Sequence, residues 1–423
     1  MLFERWREIA GKFGNRVALR DLADGAHWTF SELALAADQA AENAGGVSFV
    51  QATGPEFVIQ ILRAWKNGAV VCPLEPGQAR PQVKAGLPSD IVHLKTTSAT
   101  TGAPHLVAVT SDQLCADAEN ILLTMGLRPD WPNVGVISLA HSYGFSNLIL
   151  PLLLHGIPLV LVESALPEAL RRVGSLHEEV TLPAVPALWR AWRDADAIPS
   201  NVRLAISAGA PLPLTLEESI FSGAGLKVHN FYGSSECGGI AYDASASPRS
   251  DATCIGAPMK NVEVSIAPDG CLEVRGPAVG QTFWPDPNPN LKNGVFHSSD
   301  LAELRDGKVF FNGRACDRIN VAGRKVSPET IERVLCTHPK VRECLAFGVP
   351  TSDAGRGENI VACLAGAAGS DLESLKQHVM ARLPAWQVPR DWWLVESLEA
   401  SQRGKLSRAD WRKRYLEKVG MVK

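Results

Sequence analysis

From residue 47 onward the chain alternates short apolar runs with amphipathic stretches, and this alternation narrows the fold more than any other feature. Residues 47–51 predict a strand, 56–67 an amphipathic helix closed by Gly68, and 69–74 the next strand. Further strands are expected at 91–94, 106–110, 133–139, 158–162, 179–182 and 202–207, with helices at 112–125, 146–155, 165–174, 187–192 and from Leu214. Strands separated by helices cannot pair through tight turns, so they stack in parallel with the helices as crossovers. Ser31 and Ser111 are expected to cap helices. After residue 245 the texture changes to short strands, with Asp269-Gly270 and Asp306-Gly307 as hairpin signals, which predicts a small β subdomain. Beyond Arg314 a mixed pattern returns: a helix at 328–336, strands at 341–349 and 359–364, a helix at 372–383 and a basic tail. The expected fold is therefore α/β. A large N-terminal domain over 1–315 holds parallel α/β subdomains plus the small β subdomain, and a small α+β C-terminal domain covers 316–423.

Composition removes several function classes. The formal net charge is −3, from 42 basic and 45 acidic side chains, so there is no electrostatic footprint for nucleic acid. The longest apolar run, 148–162, is broken by Pro151, His155, Gly156 and Pro158 and is too short for a membrane span. The N-terminus is charged and amphipathic, unlike a signal peptide. Nine scattered cysteines form no Cys-x-x-Cys pair, which argues against zinc and disulfide frameworks and for reduced thiols in a cytoplasm.

Four polar constellations carry chemistry. Asn230-Phe-Tyr-Gly-Ser-Ser-Glu236 follows an apolar run and puts an aromatic face, a glycine, two hydroxyls and a carboxylate in succession. Tyr232 can stack on a planar ring, Gly233 allows close approach, Ser234 and Ser235 can donate to phosphate oxygens, and Glu236 is a hard ligand suited to Mg²⁺. A polar turn after a core strand is the competing reading. Thr96-Thr-Ser-Ala-Thr-Thr-Gly102 offers hydroxyls and backbone N–H groups to a triphosphate, without the Walker spacing. Asp300 is either a turn cap or an acceptor for ribose hydroxyls, with Arg314 as a neighbouring cation. The basic run Arg403-Gly-Lys405-Leu-Ser-Arg408 is either a solvated face or the carrier of a mobile lysine.

Together these pieces resemble the adenylate-forming superfamily of acyl-CoA synthetases, luciferases and peptide-synthetase adenylation domains. Thr97-Ser-Ala-Thr-Thr-Gly-Ala-Pro104 resembles its phosphate loop. Ser207-Ala-Gly-Ala-Pro-Leu212 and Phe231-Tyr-Gly-Ser-Ser-Glu236 resemble its adenine and magnesium motifs. Asp300 and Gly313-Arg314 resemble its ribose motifs, Ile319 to Glu332 its post-hinge loop and helix, and Gly404-Lys405-Leu-Ser-Arg408 its C-terminal lysine motif. All six stand in family order.

The resemblance implies ATP-dependent activation of a carboxylic acid to an acyl-adenylate, with release of pyrophosphate, then transfer to the thiol of CoA or of the phosphopantetheine on an acyl carrier protein. It implies Mg²⁺ at Glu236 and phosphate contacts from Thr97, Ser98, Thr100, Thr101 and Gly102. Ala208, Gly209, Ala210 and Tyr232 would frame adenine, with Gly233, Ser234 and Ser235 against the α-phosphate and Asp300 and Arg314 on ribose. Lys405 would bridge the substrate carboxylate and the α-phosphate, His141 would orient that carboxylate, and Gly323 would line the thiol tunnel. The C-terminal domain is mobile in the family. Its pivot falls at Cys316, where Asp or Lys is usual, or at the adjoining Asp317. The phosphate loop also departs from the pattern, with Ala99 for the usual Gly and His105-Leu106 for Lys-Gly, which predicts slower turnover.

His141-Ser-Tyr-Gly-Phe145 occupies the family's acyl-pocket motif, with His141, Tyr143, Gly144 and Phe145 as lining. His141 can equally be a histidine that ends a core strand. No aspartate stands there to meet an α-ammonium, so an amino acid is not expected; Tyr143 and Phe145 suggest an aryl or fatty acid. The alternative is a degenerate, non-catalytic acyl-adenylate-binding or interaction protein, against which intact Glu236, Asp300, Arg314 and Lys405 argue.

Overall fold

A computed structural model describes residues 1–39, 45–83, 86–97, 105–351, 357–366, 372–398 and 407–421. The chain divides into two compact units. The first holds Met1–Ser265, Glu273–His297 and Asp306–Val309; the second holds Ile266–Leu272, Ser298–Arg305 and Phe310–Lys423. The division runs through the strands Cys271–Arg275, Val295–Arg305 and Lys308–Arg314, which form where the short strands are expected.

In the first unit the strand–helix rhythm produces the parallel sheet it implies. Val228–Ser234, Val202–Ser207, Val180–Ala184, Asn133–Gly135, Leu159–Leu161 and Val17–Asp21 lie side by side, each parallel to the next. Gly238–Tyr242 and Cys254–Pro258 continue from one end as antiparallel neighbours. In a second sheet Val47–Val50, Val70–Pro73 and Ile91–Thr96 run parallel, followed by antiparallel Leu106–Thr110 and Thr282–Trp284. Crossover helices cover the large sheet: Trp189 and Trp192 of Pro186–Asp194 are fully buried against Leu182, Leu216 and Val228. Each aliphatic side chain so buried contributes roughly 1.5–3 kcal/mol. The indole N–H groups donate to the carbonyls of Ile206 and Ala165, so neither tryptophan buries an unpaired donor.

Three local expectations need correction. The first two concern helix caps, which are Thr29 and Thr110 rather than Ser31 and Ser111. Each threonine accepts from the N–H three residues on and receives Glu32 or Gln113 back on its own N–H, a reciprocal box that the serines do not form. Third, the strand expected at 133–139 stops at Gly135, and the helix expected from residue 146 begins at Ser142. It then passes through one π-helical stretch, Phe145–Ile149, before Leu150–His155.

In the second unit Glu343–Pro350 and Glu358–Ala365 pair antiparallel, and Asp391–Val395 adds in parallel. Both faces of this sheet are buried. Cys344 and Ala346 face Ile331, Leu335 and Leu375, whereas Leu345 and Phe347 face Trp411, as the period of two requires. No helix among the described residues is long and apolar enough to cross a membrane.

Candidate active site

The site begins at the carboxyl ends of three parallel strands. Ser207 stands in register with both Ala184 and Asn230, so the three chains leave the sheet at one edge. The Ala208 N–H donates to the Ala184 carbonyl at 3.1 Å. Ligands of open α/β sheets bind beyond this edge. Ala208, Gly209 and Ala210 follow one of these strands, and Tyr232 to Glu236 continue from its neighbour at the same edge. The 230–236 motif is not a single turn, however. Its strand persists to Ser234, the chain turns over residues 235–237, and Gly238–Tyr242 returns antiparallel. Ser234 Oγ accepts from the Cys237 N–H at 3.2 Å, which tightens the turn. Burial pushes the Cys237 thiol far up, leaving it inert. The Glu236 carbonyl accepts from the Gly280 N–H at 2.7 Å. Its carboxylate is partly exposed and enters no ion pair among the described residues. A single oxygen-donor carboxylate left open beside hydroxyls fits Mg²⁺, which takes one or two carboxylates plus phosphate oxygens.

The acyl motif meets this turn directly. Ser142–Gly144 makes one helical turn with His141 at its N-cap, and Ser142 Oγ lies 2.9 Å from Ser235 Oγ. The Tyr143 hydroxyl donates to the Ala184 carbonyl at 3.3 Å, and its ring lies 5.9 Å from that of Phe231. Burial holds this phenol well above its usual pKa, so it stays a donor. Gly144 is required sterically, because a Cβ there would stand 1.9 Å from the Ser138 carbonyl oxygen. Phe145 is buried against the His93 ring at 4.5 Å. Burial, and then Lys95, push His93 well below its usual pKa, so it is neutral.

Glu75 is a site residue that the sequence reading missed. Its Oε1 accepts from Ser138 Oγ and lies 3.4 Å from His141 Nε2. The carboxylate therefore stands beside the imidazole, at ion-pair distance. Glu75→Ala is expected to raise KM for the acid about tenfold and leave KM for ATP within twofold, since orientation at one substrate is what is lost. Steady-state kinetics against each substrate checks this.

Thr97 closes the base of the phosphate loop: its N–H and hydroxyl both donate to the His105 carbonyl, at 3.0 and 2.9 Å. Ser98, Thr100, Thr101 and Gly102 lie outside the described residues, as does Lys405.

The second unit holds the remaining candidates. Arg314 Nε donates to Asp300 Oδ1 at 3.0 Å, and the Asp300 N–H donates to Ser298 Oγ at 3.1 Å. The first contact holds the carboxylate and the second holds the backbone of the strand at Asp300. Cys316 and Asp317 lie in the single turn Ala315–Asp317, where burial first and Asp317 second raise the Cys316 thiol. Asp317 pairs with Arg408 Nη1 at 2.8 Å. Arg408 also pairs with Glu329 and Glu332, each at 2.8 Å, so one guanidinium answers three carboxylates. Gly323 sits in the two-residue loop between Ile319–Val321 and Arg324–Val326, with nothing within 4 Å of a Cβ placed there.

Residues 79–284 match the model of the AMP-binding enzyme family, and residues 330–405 match that of the AMP-binding enzyme C-terminal domain. A probable 2-succinylbenzoate–CoA ligase of Mycobacterium tuberculosis is 29% identical over 76% of this chain and 83% of its own. Feruloyl-CoA synthase of Amycolatopsis sp is 28% identical over 79% of this chain and 72% of its own. Among solved structures, the o-succinylbenzoate CoA synthetase of Bacillus subtilis in complex with its acyl-adenylate intermediate shares the fold. Its TM-score is 0.82 at 20% identity, covering 96% of this chain and 97% of that one. ATP-bound MatB of Rhodopseudomonas palustris does so at 0.86 and 18%, covering 98% and 99%. The chain belongs to the AMP-binding enzyme family, within the adenylate-forming superfamily of acyl-CoA synthetases.

Proposed function

We propose that the protein is an AMP-forming acid–CoA ligase whose acid is aromatic. The observation that carries the reading is the 2.9 Å contact between Ser142 and Ser235, which joins the acyl motif to the phosphate and magnesium turn at one sheet edge. The aromatic preference rests on the Tyr143–Phe231 pair beside that contact, and 2-succinylbenzoate and feruloyl relatives support it.

In the first half-reaction a carboxylate oxygen attacks the α-phosphorus of ATP, the α–β anhydride bond breaks, and pyrophosphate leaves. Two anions must be held together, so the residues supply neutralisation and alignment. Lys405 bridges the carboxylate and the α-phosphate while His141, with Glu75 beside it, orients the acid. Ser234 and Ser235 donate to phosphate oxygens, joined by the 97–102 loop, and Glu236 would hold a Mg²⁺ ion that would offset the phosphate charge. Ala208, Gly209, Ala210 and Tyr232 frame adenine, and Asp300, steadied by Arg314, accepts from the ribose hydroxyls. In the second half-reaction the CoA thiolate attacks the acyl carbonyl past Gly323, and AMP leaves. The domain 316–423 turns about Cys316–Asp317 between the two steps. A carrier-protein phosphopantetheine is the comparison acceptor.

Acid-dependent exchange of pyrophosphate into ATP tests the reading. A panel of benzoate-, cinnamate- and straight-chain acids is expected to give exchange, with the aromatic acids at least tenfold better in kcat/KM. Exchange with none of them would leave a binding protein without catalysis, and faster exchange with straight-chain acids would overturn the aromatic assignment.

A further inference from the structure

The first unit buries an ion pair directly behind the proposed ATP site. Lys95 Nζ lies 3.5 Å from Asp117 Oδ2, and the two side chains are 3% and 1% exposed. Ser146 Oγ donates to the same oxygen at 2.6 Å, and the Gly239 N–H donates to Asp117 Oδ1 at 3.1 Å. These partners come from three segments. Lys95 is the penultimate residue of the strand Ile91–Thr96, just before the expected phosphate loop. Ser146 stands four residues past Ser142, in the π-helical stretch. Gly239 is the second residue of the strand Gly238–Tyr242 that follows the Glu236 turn. Gly238 takes φ +69°, and a Cβ on it would stand 2.0 Å from Asp117 Oδ1, so the turn is seated against this carboxylate.

A buried ion pair is a poor way to gain stability, because desolvation consumes most of the attraction and apolar residues of equal volume serve as well. What apolar residues cannot do is fix hydrogen-bond register. One oxygen of Asp117 sets the height of Gly239, and the other sets Ser146 relative to Lys95. With the Glu236 carbonyl held by Gly280 on the far side, the turn that carries the metal ligand is gripped from both ends. We propose that Asp117, with Lys95 as its counter-charge, is a positioning residue that places Glu236 and the Ser142–Ser235 contact for Mg²⁺-ATP. The proposal rests on the ligase reading above.

Asp117→Asn alone strands a buried lysine and is expected to lower the melting temperature. The informative variant is therefore Lys95→Met combined with Asp117→Asn, which removes both charges and keeps the volumes. It is expected to melt within a few degrees of wild type. Its calorimetric Kd for Mg²⁺-ATP should rise about tenfold, and so should the Mg²⁺ concentration giving half-maximal exchange. Gly238→Ala leaves both charges in place and drives the turn off Asp117, and it should weaken Mg²⁺-ATP in the same way. If either variant folds and binds Mg²⁺-ATP as wild type does, Asp117 is only a packing element and the proposal falls. A wild-type chain that binds Mg²⁺-ATP but supports no exchange with any acid refutes the ligase reading alone, and the same Kd comparison still decides on Asp117. A wild-type chain that binds no Mg²⁺-ATP overturns both.

Discussion

Lys405→Ala should slow pyrophosphate exchange by roughly 10²–10³, about 3–4 kcal/mol of transition-state stabilisation, the loss expected when one charge-stabilising group leaves a phosphoryl-transfer site. The size follows from what the site otherwise lacks. His105 stands where the family's phosphate loop usually carries lysine, so the C-terminal lysine bears more of the neutralisation. ATP affinity should change little, because hydroxyls, backbone donors and Mg²⁺ remain. Lys405→Arg should rescue poorly, since a planar fork does not replace a compact ammonium that bridges two oxygens of different groups. Thioester formation from a supplied acyl-adenylate should persist, because that step begins after Lys405 has acted. Calorimetry, exchange and single-turnover thioester assays separate these outcomes. Normal exchange by Lys405→Ala would refute the assignment.

Arg408→Met should be the most destabilising single change in the second unit, at about 3 kcal/mol. Removing one partner of a buried ion pair costs ~3–5 kcal/mol, and the 21% exposure of Arg408 puts it at the low end. The loss strands Glu329, Glu332 and Asp317 close together with no counter-charge. Burial, and to a lesser degree Glu329, already hold Glu332 above the ordinary carboxylate pKa even against the pull of Arg408. A group whose folded pKa is raised contributes stability that is present below its unfolded pKa and lost as pH rises through the folded value. The deficit of Arg408→Met should therefore shrink as pH falls from neutral into the carboxylate range. Adding Glu329→Gln and Glu332→Gln should recover most of it at neutral pH. Urea unfolding at several pH values gives the measurement. A deficit that does not vary with pH would mean that the guanidinium acts through packing alone. Arg408 stands three residues past Lys405 and is tied to Asp317, so the variant should also slow adenylation even where it is folded.

The parallel sheet was legible because period and length agree at most steps from 47–51 to 202–207, although the strand expected at 133–139 ends at Gly135. The family was legible because the motif residues are chemically uncommon and stand in the family's order. Glu75 and Asp117 were not, since each acts on partners far away in sequence: Glu75 on Ser138 and His141, Asp117 on Lys95, Ser146 and Gly239. A faint signal did exist for the second pair. Lys95 sits in a largely buried strand and Asp117 on the buried face of its helix, which is where two opposite charges must find each other. The helix caps were misplaced by one or two residues because adjoining hydroxyls compete, and only the acid or amide three positions later decides between them.

The π-helical stretch Phe145–Ile149 makes chain length itself a protected trait here. Its Leu150 N–H reaches back five residues to the Phe145 carbonyl, so the stretch holds one residue more than an α turn needs. A one-codon deletion anywhere within it would restore ordinary α geometry and swing His141–Gly144 by about 100° around the helix axis relative to Leu150–His155. The Ser142–Ser235 and Tyr143–Ala184 contacts would be lost together, although every side chain of the acyl motif survived. A gained or lost residue there would therefore break contacts that no exchange of side chains within 145–149 could restore.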